Sequence, residues 1–291
     1  MWIEGRRIVS NGRRKKVRES PGGLKQMSML IMLIMIVGTG CVSEEITVDL
    51  PGGEKMDFVW IEPGTFVMGS PASEPERNGD EGPQHQVTIS RGFYLGKQEV
   101  TQGQWAAVME NHPWAGKRHI EESARNAASF LKWVDVQEFI RRLNQAAGEE
   151  IFRLPREAEW EYACRAGTTT LWSFGNDENK VGEYAWYREN AWEQGEKFPH
   201  VTGLKLPNPW GLYDMHGNVW EWCQDWYGKY SQASQTDPIG PESGSLRVAR
   251  GGHFTSHARF VRSAARLSHK EKVPSHAIGV RLLREHRPSA D

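Results

Sequence analysis

A long stretch without any regular hydrophobic period is the feature that most constrains what this chain can fold into. Residues 168–245 follow neither a helical nor a strand repeat, yet the chain carries 30 Gly and 13 Trp in 291 residues. Indole rings fill space between irregular segments, whereas glycine weakens helices. The sequence therefore favours a loop-rich, irregular domain ordered by packing, and it disfavours a long helical bundle.

Regular elements are predicted on both sides of this stretch. Thr101 and Gln104 form a capping-box pattern, apolar residues share one face of a second helix, and Pro155 opens a third that Gly167 can end. With no internal repeat and no linker after residue 56, one α+β domain over residues 57–285, with a tail at 286–291, is the economical interpretation. The predicted helices cover 101–109, 135–146 and 156–166, a loop covers 70–84, and the predicted strands cover 58–61 and 65–68 (joined by a turn), 86–90, 93–95, 246–250, 260–265 and 278–282.

The first forty residues have the pattern of an export signal. A basic stretch precedes an apolar run at 27–37, and small residues lead to Cys41. The run is too short to span a bilayer as a helix. We predict a lipoprotein-like signal peptide over 1–40, a lipid-modified Cys41 and a tether over 41–56. A plain signal peptide or an uncleaved anchor is the alternative. Resemblance to bacterial lipoproteins, with Val42 rather than Asp after the cysteine, implies an outer-membrane protein facing the periplasm.

The part of the chain that follows the first forty residues is acidic. Residues 41–291 hold 28 Lys or Arg against 35 Asp or Glu, a net charge of −7. Because nucleic-acid binding needs a basic surface, nucleic acid is not an expected partner. Cys164 and Cys223 are the two cysteines that follow Cys41. An oxidising compartment would permit them to pair, and the sequence leaves their distance open.

Seven segments, in order, resemble the formylglycine-generating enzyme family, also called sulfatase-modifying factors. The resemblance implies an irregular α+β fold related to C-type lectins. It also raises the question of oxidase activity, because members of this family convert a sulfatase cysteine to formylglycine with copper. The segments are PGTFVMGS (63–70), KQEVTQGQW (97–105), RLPREAEWEYACRAGT (153–168), NPWGLYDMHGNVWEWCQDWYG (208–228), RVARGG (247–252), VRSAAR (261–266) and IGVRLL (278–283).

The cysteine pair that the family's oxidases use is missing. Ser256 stands where the first cysteine is expected, and no cysteine follows Cys223. Thiolates are soft ligands suited to Cu(I), and a hydroxyl cannot replace them, so copper is not expected. His253 and His257 remain weak candidates for another metal site, because residues four apart in an extended segment point to one side. The alternative is two ordinary packing or surface histidines.

A calcium site is a further expectation from the resemblance. The family's loop binds calcium through positions that fall on Asp214, Gly217, Val219 and Glu221, with Glu99 completing the site. Asp214 replaces a family Asn but still offers oxygen, and calcium prefers carboxylate and carbonyl oxygens. The ion would be structural, because it would join Glu99 to a loop far along the chain.

These observations favour an exported, lipid-anchored binding or assembly module that is not an oxidase, with a protein or glycan partner at the cell envelope. The alternatives are a formylglycine-generating oxidase with an altered metal site and a lectin-like glycan-binding module, which exposed Trp near residues 185–200 would favour. The recurring tryptophans are expected in the core. Four arginines either line a cleft or, as the default expectation, make surface or structural ion pairs, namely Arg250, Arg262, Arg266 and Arg281.

Overall fold

The computed structural model describes residues 44–286 and the backbone of Met32–Leu33. Cys41 and, apart from that backbone, the predicted signal peptide lie outside the described residues. In the part of the chain that is described, no helix is long and apolar enough to cross a membrane.

The predicted mixture of helices and strands is confirmed, with strands in the majority. Four α-helices are present in the described residues: α1 Gln102–Met109, α2 Trp133–Ala147, α3 Glu157–Arg165 and α4 Val181–Tyr184. The strands are β1 Met32–Leu33, β2 Glu45–Asp49, β3 Lys55–Ile61, β4 Gly64–Met68, β5 His85–Ile89, β6 Phe93–Gly96, β7 Phe152–Arg153, β8 Trp220–Trp226, β9 Gln235–Thr236, β10 Arg247–Arg250, β11 Arg266–His269, β12 Ile278–Gly279 and β13 Leu283–Glu285.

These strands form three sheets. The largest has the order β1-β2-β3-β6-β13-β7, the second has the order β11-β10-β8-β12, and the third has the order β4-β5-β9. The β8–β12 and β5–β9 pairs are parallel, and the other pairs are antiparallel. Segments far apart in the sequence are therefore neighbours in the fold. For example, β6 pairs with the last strand, β13.

Helices α1 and α2 pack through aromatic rings into the main apolar core. Trp105 of α1 and Phe139 of α2 stack with ring centroids 5.0 Å apart, and both belong to the same buried cluster as Phe58 and Trp222. The predicted capping box of α1 is confirmed: Gln104 N–H donates to Thr101 Oγ1 at 3.2 Å, and Thr101 N–H donates to Gln104 Oε1 at 2.9 Å. These bonds satisfy two orphan donors at the helix start.

The amphipathic pattern that predicted α2 is also confirmed. Val136, Phe139, Ile140 and Leu143 are all buried, and the helix ends at Gly148 with a φ of +76°. Glycine adopts this left-handed conformation without the steric cost that other residues meet, so the C-cap suits it. Helix α3 packs on a second buried cluster, which contains Trp160, Ala163 and Cys164.

Two predicted strands prove to be arranged differently. The strands flanking Pro63-Gly64 exist, but β3 pairs with β2 and β6, whereas β4 pairs with β5. The turn therefore passes the chain from one sheet to another. The strand predicted at 260–265 is wrong, because Ala258–Phe260 forms a 3₁₀ turn and the strand starts at Arg266. Of the strand predicted at 278–282, only Ile278–Gly279 forms a strand, β12, and the next strand, β13, begins beyond it at Leu283.

The tether predicted over 41–56 is wrong from residue 45 onward. Glu45–Asp49 forms β2, which pairs with β3 along its whole length. Its alternate side chains Ile46 and Val48 are buried in the main core. The folded domain therefore includes residues from at least 45 onward, because the alternation of apolar and polar residues here is that of a half-buried strand.

Candidate functional site

The segment that follows Gly251-Gly252 turns back on itself and packs against the 214–221 loop. Both glycines have positive φ, at +103° and +82°. A Cβ on Gly252 would lie 2.5 Å from Val261 Cγ1 and 2.8 Å from Phe260 O, so only glycine fits. Phe254 N–H donates to Asn218 O at 3.0 Å. This path fixes the position of Ser256.

Ser256 is held in a hydrogen-bonded network inside the protein. Its Oγ lies 2.5 Å from His253 Nδ1 and accepts the His253 backbone N–H at 3.1 Å. On the other side of the ring, Thr255 Oγ1 lies 2.7 Å from His253 Nε2. Because a neutral imidazole has one donor and one acceptor nitrogen, each hydroxyl meets one of the two. Sequence reasoning missed Thr255, which carries no motif of its own.

His253 is a packed, neutral imidazole. Burial lowers the pKa of His253 to about 3, and the charge of His276 acts in the same direction. Its ring lies 6.3 Å from the rings of both Trp220 and His276, measured between centroids. The ring therefore stays uncharged at physiological pH, with both nitrogens occupied by hydroxyl groups.

His257 lies elsewhere. Its side chain is exposed, and Nδ1 is 3.6 Å from Glu189 Oε1. It faces a cleft of about 300 Å³ that Glu76 and Glu178 also line. The side chain of His253 therefore lies in the interior, whereas that of His257 is exposed on the surface. Among residues 44–286, no three or more His, Cys, Asp or Glu side chains form a group that could hold a metal ion.

Cys164 and Cys223 do not form a disulfide. Each sulfur has its own buried neighbours: Cys164 Sγ lies 3.7 Å from Met215 O, and Cys223 Sγ lies 3.9 Å from Glu221 O. Burial raises the pKa of the Cys164 thiol to about 12 and that of Cys223 well above its ordinary value. Thiols of this kind are inert, because the thiolate is the reactive and metal-binding form.

The three carboxylates of the predicted calcium set lie near one another in the interior. Glu99 accepts hydrogen bonds from Asn218 Nδ2 at 2.7 Å and from the Val219 backbone N–H at 3.2 Å. Asp214 Oδ2 accepts the Gly203 N–H at 2.6 Å, whereas Asp214 Oδ1 is buried without a partner in the described residues. The region thus contains an orphaned acceptor.

Glu221 differs from the other two carboxylates because it is already paired. Arg281 reaches its Oε1 through Nη2 at 2.7 Å and its Oε2 through Nε at 2.9 Å. Trp160 Nε1–H donates to Oε2 at 2.6 Å. All three side chains are buried. A bidentate guanidinium with a further donor satisfies a carboxylate in the interior.

Negative charge nevertheless remains in excess around Glu99. Burial raises the pKa of Glu99 well above its ordinary value, and the charges of Asp214 and Glu221 raise it further, while Arg281 opposes them. Burial also raises the pKa of Asp214 to about 6. One arginine therefore faces three buried carboxyl groups, so the site would be stabilised by a proton or a cation.

Arg250, Arg262 and Arg266 lie in the interior rather than on the surface. Arg250 pairs with Glu161 and reaches Glu157 at 3.4 Å. Arg266 binds Glu157 at 2.6 and 2.8 Å. The structural alternative for these arginines is confirmed. Arg262 likewise makes ion pairs with Glu74 and Glu81.

Comparison with known proteins agrees with this architecture. Residues 47–286 match the family described as "Sulfatase-modifying factor enzyme 1-like domain", or FGE-sulfatase. A protein named "Formylglycine-generating enzyme" from Streptomyces coelicolor is 30% identical over 295 residues, covering 82% of this chain and 88% of the relative. One named "Chaperone protein LppX" from Paenibacillus barcinonensis is 28% identical over 271 residues, covering 77% and 86%. The structure of Treponema denticola variable protein 1 superposes with a TM-score of 0.73 at 27% identity, covering 83% of this chain and 99% of that one.

Proposed function

Since the chain belongs to the sulfatase-modifying factor enzyme 1-like domain family, yet has a serine at the first thiol position, we propose that it is a non-oxidase binding or assembly module. The observation that carries the proposal is the state of Ser256. It is buried and hydrogen-bonded to His253, so it is neither a soft metal ligand nor an accessible nucleophile. The family scaffold is retained while its redox chemistry is not.

No described thiol can take over the missing ligand role. Cu(I) prefers thiolates, and both Cys164 and Cys223 are buried with a raised pKa. Moving either sulfur to Ser256 would require unpacking the cluster around Trp160 and Cys164. The absence of an available thiolate ligand among the described residues therefore favours a binding module over a copper-dependent oxidase.

The relative named "Chaperone protein LppX" supports an assembly role. Its name describes a chaperone, and the alignment spans 86% of its length, so the two share the same domain rather than a fragment. We extend that role to this chain as part of the proposal: the domain binds an exported polypeptide and assists its assembly at the cell envelope.

Export and lipid anchoring complete the proposed arrangement. The apolar run at 27–37 and the small residues before Cys41 supply the sequence support. Two acyl chains hold a protein to a membrane far better than one. The domain would then act at the outer membrane, facing the periplasm. Replacing Cys41 by Ser should abolish incorporation of labelled palmitate, and continued labelling would refute the anchor.

Calcium is the proposed structural ion. The excess of buried carboxyl groups and the orphaned Asp214 Oδ1 support it, whereas the pairing of Glu221 with Arg281 weighs against Glu221 as a ligand. The fit is therefore partial. Glu99, Asp214 and the carbonyls of Gly217 and Val219 would hold the ion, and its charge would offset the repulsion between the carboxylates.

The assembly role can be tested in the organism's own envelope. Deleting the gene should lower the amount of at least one exported protein, as measured by quantitative proteomics of the envelope fraction. Wild-type protein should restore that amount, and the Cys41→Ser form should restore it less. An unchanged envelope proteome would contradict the assembly role.

A formylglycine-generating oxidase with an altered metal site is the second candidate, and the name of the Streptomyces coelicolor relative favours it. Such a site would draw on His253, His257 or both. Metal analysis after copper or iron loading, with both histidines changed to alanine as the comparison, separates the candidates. Stoichiometric redox metal that the double substitution removes would favour the oxidase.

Glycan binding has less support from the geometry. The indoles of the 185–200 loop are half-buried: Trp186 stacks on His200 with ring centroids 4.0 Å apart, and Trp192 lies tilted against His119 with ring centroids 5.1 Å apart. Lys205 and Lys197 lie over the same two rings. These contacts occupy the faces that a sugar would need.

A further inference from the structure

A cleft of about 570 Å³ opens beside the start of α3, apart from the His253–Ser256 network. Its lining comes from the 225–241 segment together with His85, Glu157 and Arg266, and it includes none of His253, Ser256 or His257. Small-ligand pockets in proteins have volumes of roughly 300–1,000 Å³. The cleft is therefore large enough to receive a ligand or a side chain of another protein.

Asp225 is one of three carboxyl residues that line this cleft, together with Glu157 and Asp237. Its Oδ2 accepts the Glu157 backbone N–H at 2.8 Å, and Oδ1 receives no hydrogen bond from any described residue. Only 5% of the residue's surface is exposed. Gly240 crosses close above it, since a Cβ there would lie 3.0 Å from Asp225 Oδ1. One oxygen of a nearly buried carboxyl group is thus left without a protein donor.

Two arginines near Asp225, Arg266 and Arg156, are hydrogen-bonded to other groups. Arg266 binds Glu157 and also donates to Gly228 O at 3.1 Å. Arg156 donates to Asp237 O at 3.1 Å. Lys229 is exposed on the cleft lining, and the ion pairs within residues 44–286 do not join it to Asp225. Burial raises the pKa of Asp225 to about 7, and the charge of Glu157 adds to that rise. A bound cation would relieve both effects.

Part of the cleft lining is apolar. Ile239 has 59% of its surface exposed, and Pro238 and Pro241 flank it. An exposed isoleucine between prolines offers an aliphatic surface, while the carboxyl group lies deeper. This order of groups matches an alkyl chain that ends in a positive charge.

We propose that the cleft binds an aliphatic primary ammonium group, with its N–H groups donating to Asp225 Oδ1 and its methylene chain lying along Ile239. A lysine side chain of a partner polypeptide and a free alkylamine share this chemistry. The inference goes beyond the proposed function, because it holds whether the domain assists assembly or acts as an oxidase.

The test is an NMR titration of the full domain with Nα-acetyl-lysine methylamide, followed through the backbone amides of residues 225–241. Butylammonium tests the free amine, and Nα-acetyl-norleucine methylamide keeps the chain length without the charge. Saturable shifts are expected with the lysine derivative. The norleucine derivative should bind at least about tenfold more weakly, as expected for loss of a hydrogen bond to a charged group.

Two variants make the result specific to Asp225. Asp225→Asn keeps an oxygen for the Glu157 N–H but removes the charge, and it should weaken binding at least about tenfold. Asp237→Asn makes the same chemical change at another lining residue, whose carboxylate is already bonded to the Ser90 N–H at 2.8 Å, and it should retain binding. Binding by butylammonium alone would assign the cleft to small amines rather than to a peptide lysine. Equal binding of the norleucine derivative, or undiminished binding by Asp225→Asn, would overturn the proposal.

Discussion

The hydroxyl of Ser256 and the Nδ1 of His253 lie 2.5 Å apart, and Thr255 Oγ1 contacts Nε2 on the opposite side of the same ring. The resemblance to formylglycine-generating enzymes places the first copper-binding thiol at residue 256. In this protein, residue 256 is a buried serine that is hydrogen-bonded to His253. The contact therefore links the sequence change directly to the loss of a metal ligand.

Removing the Ser256 hydroxyl should destabilise the domain. Ser256→Ala leaves His253 Nδ1 and the His253 N–H without their partner inside the protein. Unsatisfied buried polar groups cost about 1–3 kcal/mol, which is the loss expected in urea unfolding. Ser234→Ala, at an exposed position, is the control and should change little. Equal stability of the two variants would show that the Ser256 hydrogen bonds do not contribute to the free energy of unfolding.

Breaking the buried ion cluster should have a larger effect. Arg250→Met removes one of the two arginines that pair with buried Glu161, the other being Arg165, and removal of one partner of a buried pair costs about 3–5 kcal/mol. Arg141→Met is the matched control, since Arg141 pairs with Glu138 on the exposed face of α2 and should lose little. Chemical denaturation measures both.

A double variant distinguishes loss of pairing from loss of packing. Arg250→Met and Glu161→Leu break the same ion pair, so the double variant should lose less stability than the two single losses added together, although Arg165 also loses its 2.8 Å contact with Glu161. Strictly additive losses would contradict a direct interaction between Arg250 and Glu161.

The pH dependence of stability should change when Asp225 is neutralised. The pKa of Asp225 is raised to about 7 by burial, then by Glu157 and Glu159, against Arg156. Because the folded state binds this proton more tightly than the unfolded state, Asp225 costs more stability as the pH rises from about 4 to 7. The advantage of Asp225→Asn over wild type should therefore grow from pH 5 to pH 8, by on the order of 2 kcal/mol.

Denaturation of both proteins at pH 5 and pH 8 measures this difference. Wild type must ionise a buried carboxyl group at the higher pH, whereas the asparagine has no proton to lose. A stability difference that stays constant or shrinks as the pH rises would contradict the raised pKa.

Calcium should stabilise the domain through Glu99. Binding to the folded state alone adds RT ln(1 + [Ca²⁺]/Kd) to the free energy of unfolding, so the melting temperature rises with the logarithm of the calcium concentration above Kd. Glu99→Gln should lose the response to calcium, because it removes one of the carboxylate ligands from the proposed site. Differential scanning fluorimetry with EGTA, calcium and magnesium measures this. A wild-type protein without any calcium response, or Glu99→Gln with a full one, would refute the calcium site.

Local sequence signals predicted local structure well. Thr101 with Gln104 specified the start of α1, and the spacing of Val136, Phe139, Ile140 and Leu143 specified the buried face of α2. Such patterns act within a few residues, so no tertiary information is needed. The family motifs added the α+β class and the placement of the 214–221 loop beside Glu99.

Tertiary context explains what the sequence did not reveal. β8 has four consecutive buried residues at its start, Trp220 to Cys223, so it lacks the alternation that identifies a half-buried strand. The arginine pairs join residues far apart in the chain, such as Arg250 with Glu161 and Arg281 with Glu221. Nothing local distinguishes these arginines from surface cations.

The most direct measurement of the central claim is turnover of a sulfatase-type cysteine peptide by the purified domain loaded with Cu(I), with oxygen consumption and the peptide mass recorded together. A formylglycine-generating enzyme loaded in the same way provides the positive control. We predict no copper-dependent oxygen uptake and an unchanged peptide mass, because Ser256 supplies no thiolate. Copper-dependent conversion of the cysteine to formylglycine, at a rate that His253→Ala or Ser256→Ala reduces, would contradict the account.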